Sequence, residues 1–264
     1  MFLACGLIAM GACQLVVDTS GLAGGATGDA GSPESGTGEG GATEGGSAEG
    51  GRADAGAVDG DAADASASAP TLVQAQFHPE SNVTSFSMSL SAPSGSGHTL
   101  LLAVGASDNQ SIAVKGAGLT WTLVSQTTPH VPVSVWSAAA VAGATASVTV
   151  DFPGTQATTL GTFTEWANLG ALDTIVLAEG VSMSVATGPI ATTSGELVFA
   201  AAALHNYTTG TPTNPFSGLD SVSAGDARLL VAYTVAASPG SFGTSWSAST
   251  AGGWNTILLT FHPR

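Results

Sequence analysis

The chain has 264 residues, 36 of them glycine, and only 9% are charged, against about 25% in an average soluble protein. Four Lys and Arg stand against 19 Asp and Glu, for a formal charge of -15. Such a chain cannot neutralise a phosphate backbone, which excludes nucleic acid as a partner. An anionic membrane surface repels it too, so attachment to a membrane must come from lipid or an apolar helix. Both cysteines, Cys5 and Cys13, lie in the first 13 residues, which leaves the rest of the chain without a disulfide, a thiol nucleophile or a zinc–thiolate site.

Residues 2–12, FLACGLIAMGA, are uncharged and mostly apolar. The run is too short to cross a bilayer as a helix, which takes about 20 residues, and fits the apolar region of a secretory signal. Met10-Gly11-Ala12-Cys13 resembles the bacterial lipobox, where small residues precede a cysteine that is acylated and becomes the mature N-terminus. The resemblance implies lipidation at Cys13. Cys5, after Phe2-Leu3-Ala4, is the alternative, with four residues ahead of it and an apolar run behind. Residues 1–12 hold no Lys or Arg for a basic leading segment, so translation is expected to start upstream of Met1. The stretch CQLVVDTSGLAGG, residues 13–25, resembles the start of myxobacterial-type lipoproteins, in which a short apolar patch leads into a Gly-rich tether. With Gln14 after the cysteine rather than Asp, the resemblance implies the outer membrane or cell surface.

Residues 14–70 are predicted to be a disordered tether. From Gly24 to Pro70 there is no aromatic residue, and Val58 is the sole β-branched aliphatic, so ordering would cost more entropy than burial returns. Single acids such as Asp29, Glu34, Glu39, Glu44 and Glu49 punctuate Gly, Ala and Ser. Their repulsion extends a leash that spans roughly 40 Å. Isolated carboxylates lack the convergence of a calcium loop.

At Thr71 the composition changes to alternating Val, Leu, Phe, Trp and Thr, bounded by Gly, Ser, Pro and Asn. This predicts strands at 71–78, 82–90, 99–107, 111–114, 119–125, 132–139, 146–152, 157–166, 174–177, 181–185, 196–204, 228–235, 243–248 and 254–262, with no capped helical period. The region also repeats. HTLLLAVGAS from His98 matches GELVFAAAAL from Gly195, and VSVWSAAAVAGATASVTV from Val133 matches LLVAYTVAASPGSFGTSW from Leu230, both at an offset of 97. TTLGTFTEW from Thr158 matches NTILLTFHP from Asn255, with Phe163 over Phe261 at 98. Residues 71–264 are therefore expected to form one all-β domain, a single two-sheet, jelly-roll-like sandwich built from two related halves. Leu102 and Phe199 are expected at equivalent buried places.

Three features of this region resemble a group of secreted bacterial β-sandwich domains. They are the turn Ser96-Gly97-His98 leading into Leu100-Leu101-Leu102-Ala103-Val104, the strand Thr120-Trp121-Thr122-Leu123-Val124, and the step Phe163-Thr164-Glu165-Trp166. The resemblance implies the fold and no particular activity.

Outside the tether the acids are Glu80, Asp108, Asp151, Glu165, Asp173, Glu179, Glu196, Asp220 and Asp226. Glu165 shares strand parity with Phe163. A buried carboxylate there suits a general acid, but the structural alternative is an acid accepting loop N–H bonds or pairing with a histidine. None of His78, His98, His130, His205 and His262 makes a metal-spaced pair, and no HExxH or GxSxG occurs. No metal and no cofactor is expected. The loops carrying Asp108-Asn109 and His205-Asn206-Tyr207 stand at related places in the two halves and form a candidate ligand pair. The closing strands present Thr158, Leu160, Thr162, Thr164 and Trp166 in one half, and Trp254, Thr256, Leu258, Thr260 and His262 in the other. A Thr-rich face with a terminal Trp is the pattern of a sugar-stacking platform, which makes Trp166 and Trp254 candidate ligand contacts. Trp121, Trp136, Tyr233 and Trp246 are expected in the core.

The expectation that follows is a lipid-anchored, non-catalytic cell-surface module for binding or adhesion, with polysaccharide or a surface protein as partner. A structural envelope component without a small ligand is one alternative. A glycan-acting hydrolase using Glu165 or loop carboxylates is the other.

Overall fold

The computed structural model describes residues 67–107, 111–116, 118–128, 130–205 and 210–264. The expected signal with Cys13, and the tether up to residue 66, lie outside the described residues. The described part is all β. Its strands are β1 (Thr71–Glu80), β2 (Val83–Pro93), β3 (Thr99–Ala106), β4 (Ala113–Lys115), β5 (Thr122–Gln126), β6 (Val133–Ala139), β7 (Thr145–Gln156), β8 (Thr159–Ala167), β9 (Leu169–Ala186), β10 (Ile190–Thr192), β11 (Leu197–His205), β12 (Ser217–Ala224), β13 (Ala227–Val235), β14 (Gly240–Phe242) and β15 (Ser245–Pro263).

Two antiparallel sheets of five strands dominate, in the orders β1-β8-β3-β6-β5 and β12-β13-β11-β15-β9. Read from the other edge, the second order is β9-β15-β11-β13-β12, strand for strand the counterpart of the first. The two halves of the sequence therefore build two copies of one sheet. The sheets pack face to face over a shared core. Leu101, Val133, Val135, Leu160 and Trp166 from the first sheet meet Phe199, Leu229, Ile257, Leu259 and Phe261 from the second. Trp166 stands edge-on to Tyr233, with ring centroids 5.0 Å apart.

This pair is the two-sheet sandwich expected from the sequence, but the layer count is larger. A further sheet, β2-β7-β4, covers the outer face of the first. There Phe86, Met88, Val148 and Val150 pack on Leu100, Leu102, Val104 and Phe163. On the far side, Val185 of β9, Trp246 of β15, Ile190 and Phe216 cover Val198, Ala200, Leu204 and Leu258. Sheets buried on both faces read as unbroken apolar runs rather than as alternation. That is why LLLAV in β3 and LVFAAAAL in β11 carry no period of two. Gly161 of β8 lets the cover sheet close, since a Cβ there would lie 2.7 Å from the Met88 sulfur.

The extra layer corrects the repeat alignment. Ser96-Gly97 and Ser194-Gly195 form matching turns, with φ of 73° and 85° at the two glycines, and they stand 98 residues apart, not 97. At 98, Leu101 lies over Phe199, and both enter the central core. Leu102 points the other way, into the outer core with Phe163, so Leu102 and Phe199 are both buried but not equivalent. Phe163 and Phe261 likewise face different cores. A slip of one residue reverses every side chain of a strand, and a strand that is apolar on both faces gives no pattern to detect it.

Three strands escape the sequence pattern. β12, SGLDSVSA, and the short β10 and β14 are too small or too polar to show an apolar run. Conversely, two predicted pairs fuse. The segments at 174–177 and 181–185 are one strand, β9, and those at 243–248 and 254–262 are β15. Their ladder passes an irregularity between Ser247 and Gly252 and continues.

Candidate functional site

Glu165 is fully buried on β8 and is held from three sides. It accepts hydrogen bonds from the Gln74 amide and from the Gly95 N–H (2.9 Å), and its Oε1 lies 2.6 Å from His98 Nδ1. Burial pushes its carboxyl up, but the Gln74, Gly95 and His98 hydrogen bonds and the His98 charge outweigh burial and hold it below the ordinary glutamate value. A general acid needs the opposite shift. Of the two sequence readings for Glu165, the geometry matches the acid that ties down a loop and pairs with a histidine.

A carboxyl that ionises more readily when folded stabilises the fold above its unfolded pKa, about 4.3, and loses that contribution as pH falls through the lower, folded value. Glu165→Gln is expected to flatten the acid limb of the stability-versus-pH curve below about pH 4.5, measured by urea unfolding across a pH series. An unchanged acid limb in the variant would show that Glu165 does not carry it.

The second half places a related cluster at the corresponding turn. Glu196 follows Ser194-Gly195 as His98 follows Ser96-Gly97, and the histidine now comes from the neighbouring strand. His262 of β15 sets Nδ1 2.7 Å from Glu196 Oε1, and its Nε2 is 3.6 Å from Asp173 Oδ1 on β9. Glu196 is fully buried, while Asp173 and His262 are open on one side. Glu196 Oε2 accepts the Thr193 N–H at 2.8 Å, and Asp173 Oδ2 accepts the hydroxyls of Thr174 (2.9 Å) and Thr260 (3.2 Å). Donor atoms of all three residues lie within 4.8 Å of one another. Asp173, Glu196 and His262 are far apart in sequence, with no ligand spacing to find. Only the β9–β15–β11 ladder brings them together.

The third feature is an open edge. Among the described residues β9 is the outermost strand of its sheet and pairs with β15 alone. Its even-numbered Val176 and Ala178 pack inward. Ile175, Leu177, Val181 and Met183 stand exposed on the opposite face, with Val181 66% exposed, and the exposed Glu179 interrupts the row between Leu177 and Val181. Beside the row, Gln126, Thr127 and Thr128 at the end of β5 face Leu177, Ala178 and Glu179 across a groove of about 230 Å³. The counterpart of β9 in the first half, β1, is likewise an outer strand, paired with β8; β2 and β12 pack against it, and Val73 is its exposed apolar side chain. In the sequence the signal for the β9 face is partial: residues 175–178 are apolar without a break, and alternation with serine appears only over 181–184.

The tryptophan platform is not formed. Trp166 is fully buried and Trp254 is 7% exposed. Trp166 donates to Thr164 Oγ1 at 2.9 Å inside the central core. Trp254 lies over Gly180 and donates to Ser182 Oγ at 3.0 Å. The flanking threonines are buried as well, and several cap backbone carbonyls of the next strand: Thr164 that of Leu101, Thr256 that of Ala178. Of the two threonine faces, only His262 at the end is open. The physical reason is that both faces of β8 and β15 are covered: Trp166 lies between the two five-stranded sheets, and Trp254 faces the layer on the far side of the second. Trp246 is core as expected, while Trp121, Trp136 and Tyr233 are only partly buried at the core margins. His205 ends β11 with Nδ1 3.7 Å from Asp226 Oδ2. Asp108, Asn109 and Tyr207, the rest of the expected loop pair, lie outside the described residues.

Compared with family models, curated proteins and solved structures, the chain finds no match in any of the three.

Proposed function

We propose that the chain is a non-catalytic binding or adhesion module, held at the bacterial cell surface by lipid on Cys13 and displayed on the acidic tether. The observation that carries the binding reading is the open edge at β9. β9 is an outer strand whose ladder partner among the described residues is β15. An outer strand offers unpaired backbone groups, and natural proteins normally blunt such an edge with charge or cover. Here the one charge amid Ile175, Leu177, Val181 and Met183 is Glu179.

The chemistry of this face fits an extended segment of a surface protein added as a further strand. Backbone hydrogen bonds would supply affinity, and every second side chain of the segment would meet the apolar row. Sugars stack on aromatic rings, and the row and groove carry none. Against the hydrolase reading stands Glu165, which is committed to Gln74, Gly95 and His98.

The test uses the full chain freed from the membrane by Cys13→Ser, which is expected to move it out of the membrane fraction. Panning a displayed library of extended peptides, apolar at alternate positions, should yield binders. Leu177→Lys with Val181→Lys should weaken them at least about tenfold, or ~1.4 kcal/mol, without lowering the melting temperature, because both side chains are exposed. If the parent is instead retarded in polysaccharide gels and the double variant behaves the same, polysaccharide replaces the peptide as ligand. If neither probe is retained, the structural envelope component stands.

A further inference from the structure

We propose that Asp173, Glu196 and His262 form a binding site for a divalent first-row transition ion of the zinc type. Each carboxylate spends one oxygen on the protein and presents the other. Thr174 and Thr260 hold Asp173 Oδ2, which turns Oδ1 toward His262. The Thr193 N–H holds Glu196 Oε2, which turns Oε1 the same way. Such outer contacts orient ligands at metal centres.

The second observation is Glu196 Oε1 itself. It is buried and receives no hydrogen bond of good geometry, although His262 Nδ1 is 2.7 Å away. A buried carboxylate oxygen without a directed donor is costly, and a cation at that point would satisfy it.

The related cluster in the first half supplies the contrast. There the buried acid Glu165 has an amide, a backbone N–H and a histidine as donors, and the set is complete. In the second half, β9 brings the acid Asp173, whereas its counterpart β1 brings the amide Gln74. Two carboxylates then converge on one imidazole. Arg264, two residues beyond His262, donates from Nη1 to Gly97 O at 2.7 Å.

One imidazole and two carboxylates, with no thiolate, suit zinc, manganese, cobalt or nickel. Calcium prefers six to eight oxygens. Ligand bonds near 2.1 Å put tetrahedral donors roughly 3.4 Å apart. His262 now shows Nδ1 to Glu196 and Nε2 to Asp173, so binding requires the two open side chains, Asp173 and His262, to turn until one ring nitrogen and both carboxylates face the same point. The open side leaves room for water to complete the shell. An ion held there ties edge strand β9 to β15 and to the turn that starts β11.

The test is calorimetric titration of the chelator-treated full chain with ZnCl₂, with CaCl₂ and MgCl₂ as controls. One zinc per chain should bind, and the melting temperature should rise with zinc and not with calcium or magnesium. His262→Gln and Asp173→Asn, both at open positions, should each weaken binding at least tenfold, whereas His98→Gln in the other half should leave it unchanged. Cobalt gives a readout on the parent chain that requires no variant to fold: visible d–d bands of a four- or five-coordinate site with a nitrogen ligand. Absence of zinc binding and of these bands overturns the site, as does binding that survives both His262→Gln and Asp173→Asn.

Discussion

Phe199→Ala is expected to destabilise the body by about 3–5 kcal/mol, and Leu101→Ala by about 2–5 kcal/mol. Both side chains are fully buried between the two five-stranded sheets, at positions 98 residues apart in the repeat. Each truncation removes apolar contacts and leaves a cavity that strands paired on both sides cannot collapse into. For a body of this size each kcal/mol lowers the melting temperature by about 2–4 °C, so Phe199→Ala should lower it by roughly 10 °C. Because the two halves share the core, both substitutions should move one calorimetric transition. Two transitions, each sensitive to one substitution, would mean that the halves fold independently.

Trp166→Ala is expected to cost about 3–5 kcal/mol, and Trp254→Ala a similar amount. Trp166 has the largest fully buried side chain, and it contacts Tyr233 and Thr164. Trp254 fills the space over Gly180, where a Cβ would lie 2.6 Å from the indole. A sugar platform predicts the opposite result, lost polysaccharide retention at an unchanged melting temperature. Melting the two variants separates these outcomes, and unchanged stability in either would show that its ring is not the core element described above.

The sites divide by how far apart their residues lie. The β9 row was legible only in part, because Ile175-Val176-Leu177-Ala178 is apolar without a break and only Val181 and Met183 alternate with serine. The Asp173–Glu196–His262 cluster was not legible, since its members come from two strands and the turn before a third, and nothing local couples them. Glu165 was singled out by strand parity with Phe163. Its role came from Gln74, Gly95 and His98, which lie 67 to 91 residues away. The Trp166 and Trp254 reading failed because threonine and tryptophan on a strand look the same whether the face is open or covered.

By itself the sequence determined the all-β class, the change of character at Thr71 and the presence of two related halves. These are local properties: strand-forming composition, turn residues at Gly97 and Gly195, and similar apolar runs in the same order. The tertiary structure decided the number of layers, the one-residue register of the repeat, the burial of both tryptophans and the assembly of the acid–histidine clusters. All four depend on which sheet covers which face. A strand such as β3 or β11, apolar on both sides, is compatible with either register until its neighbours are in place.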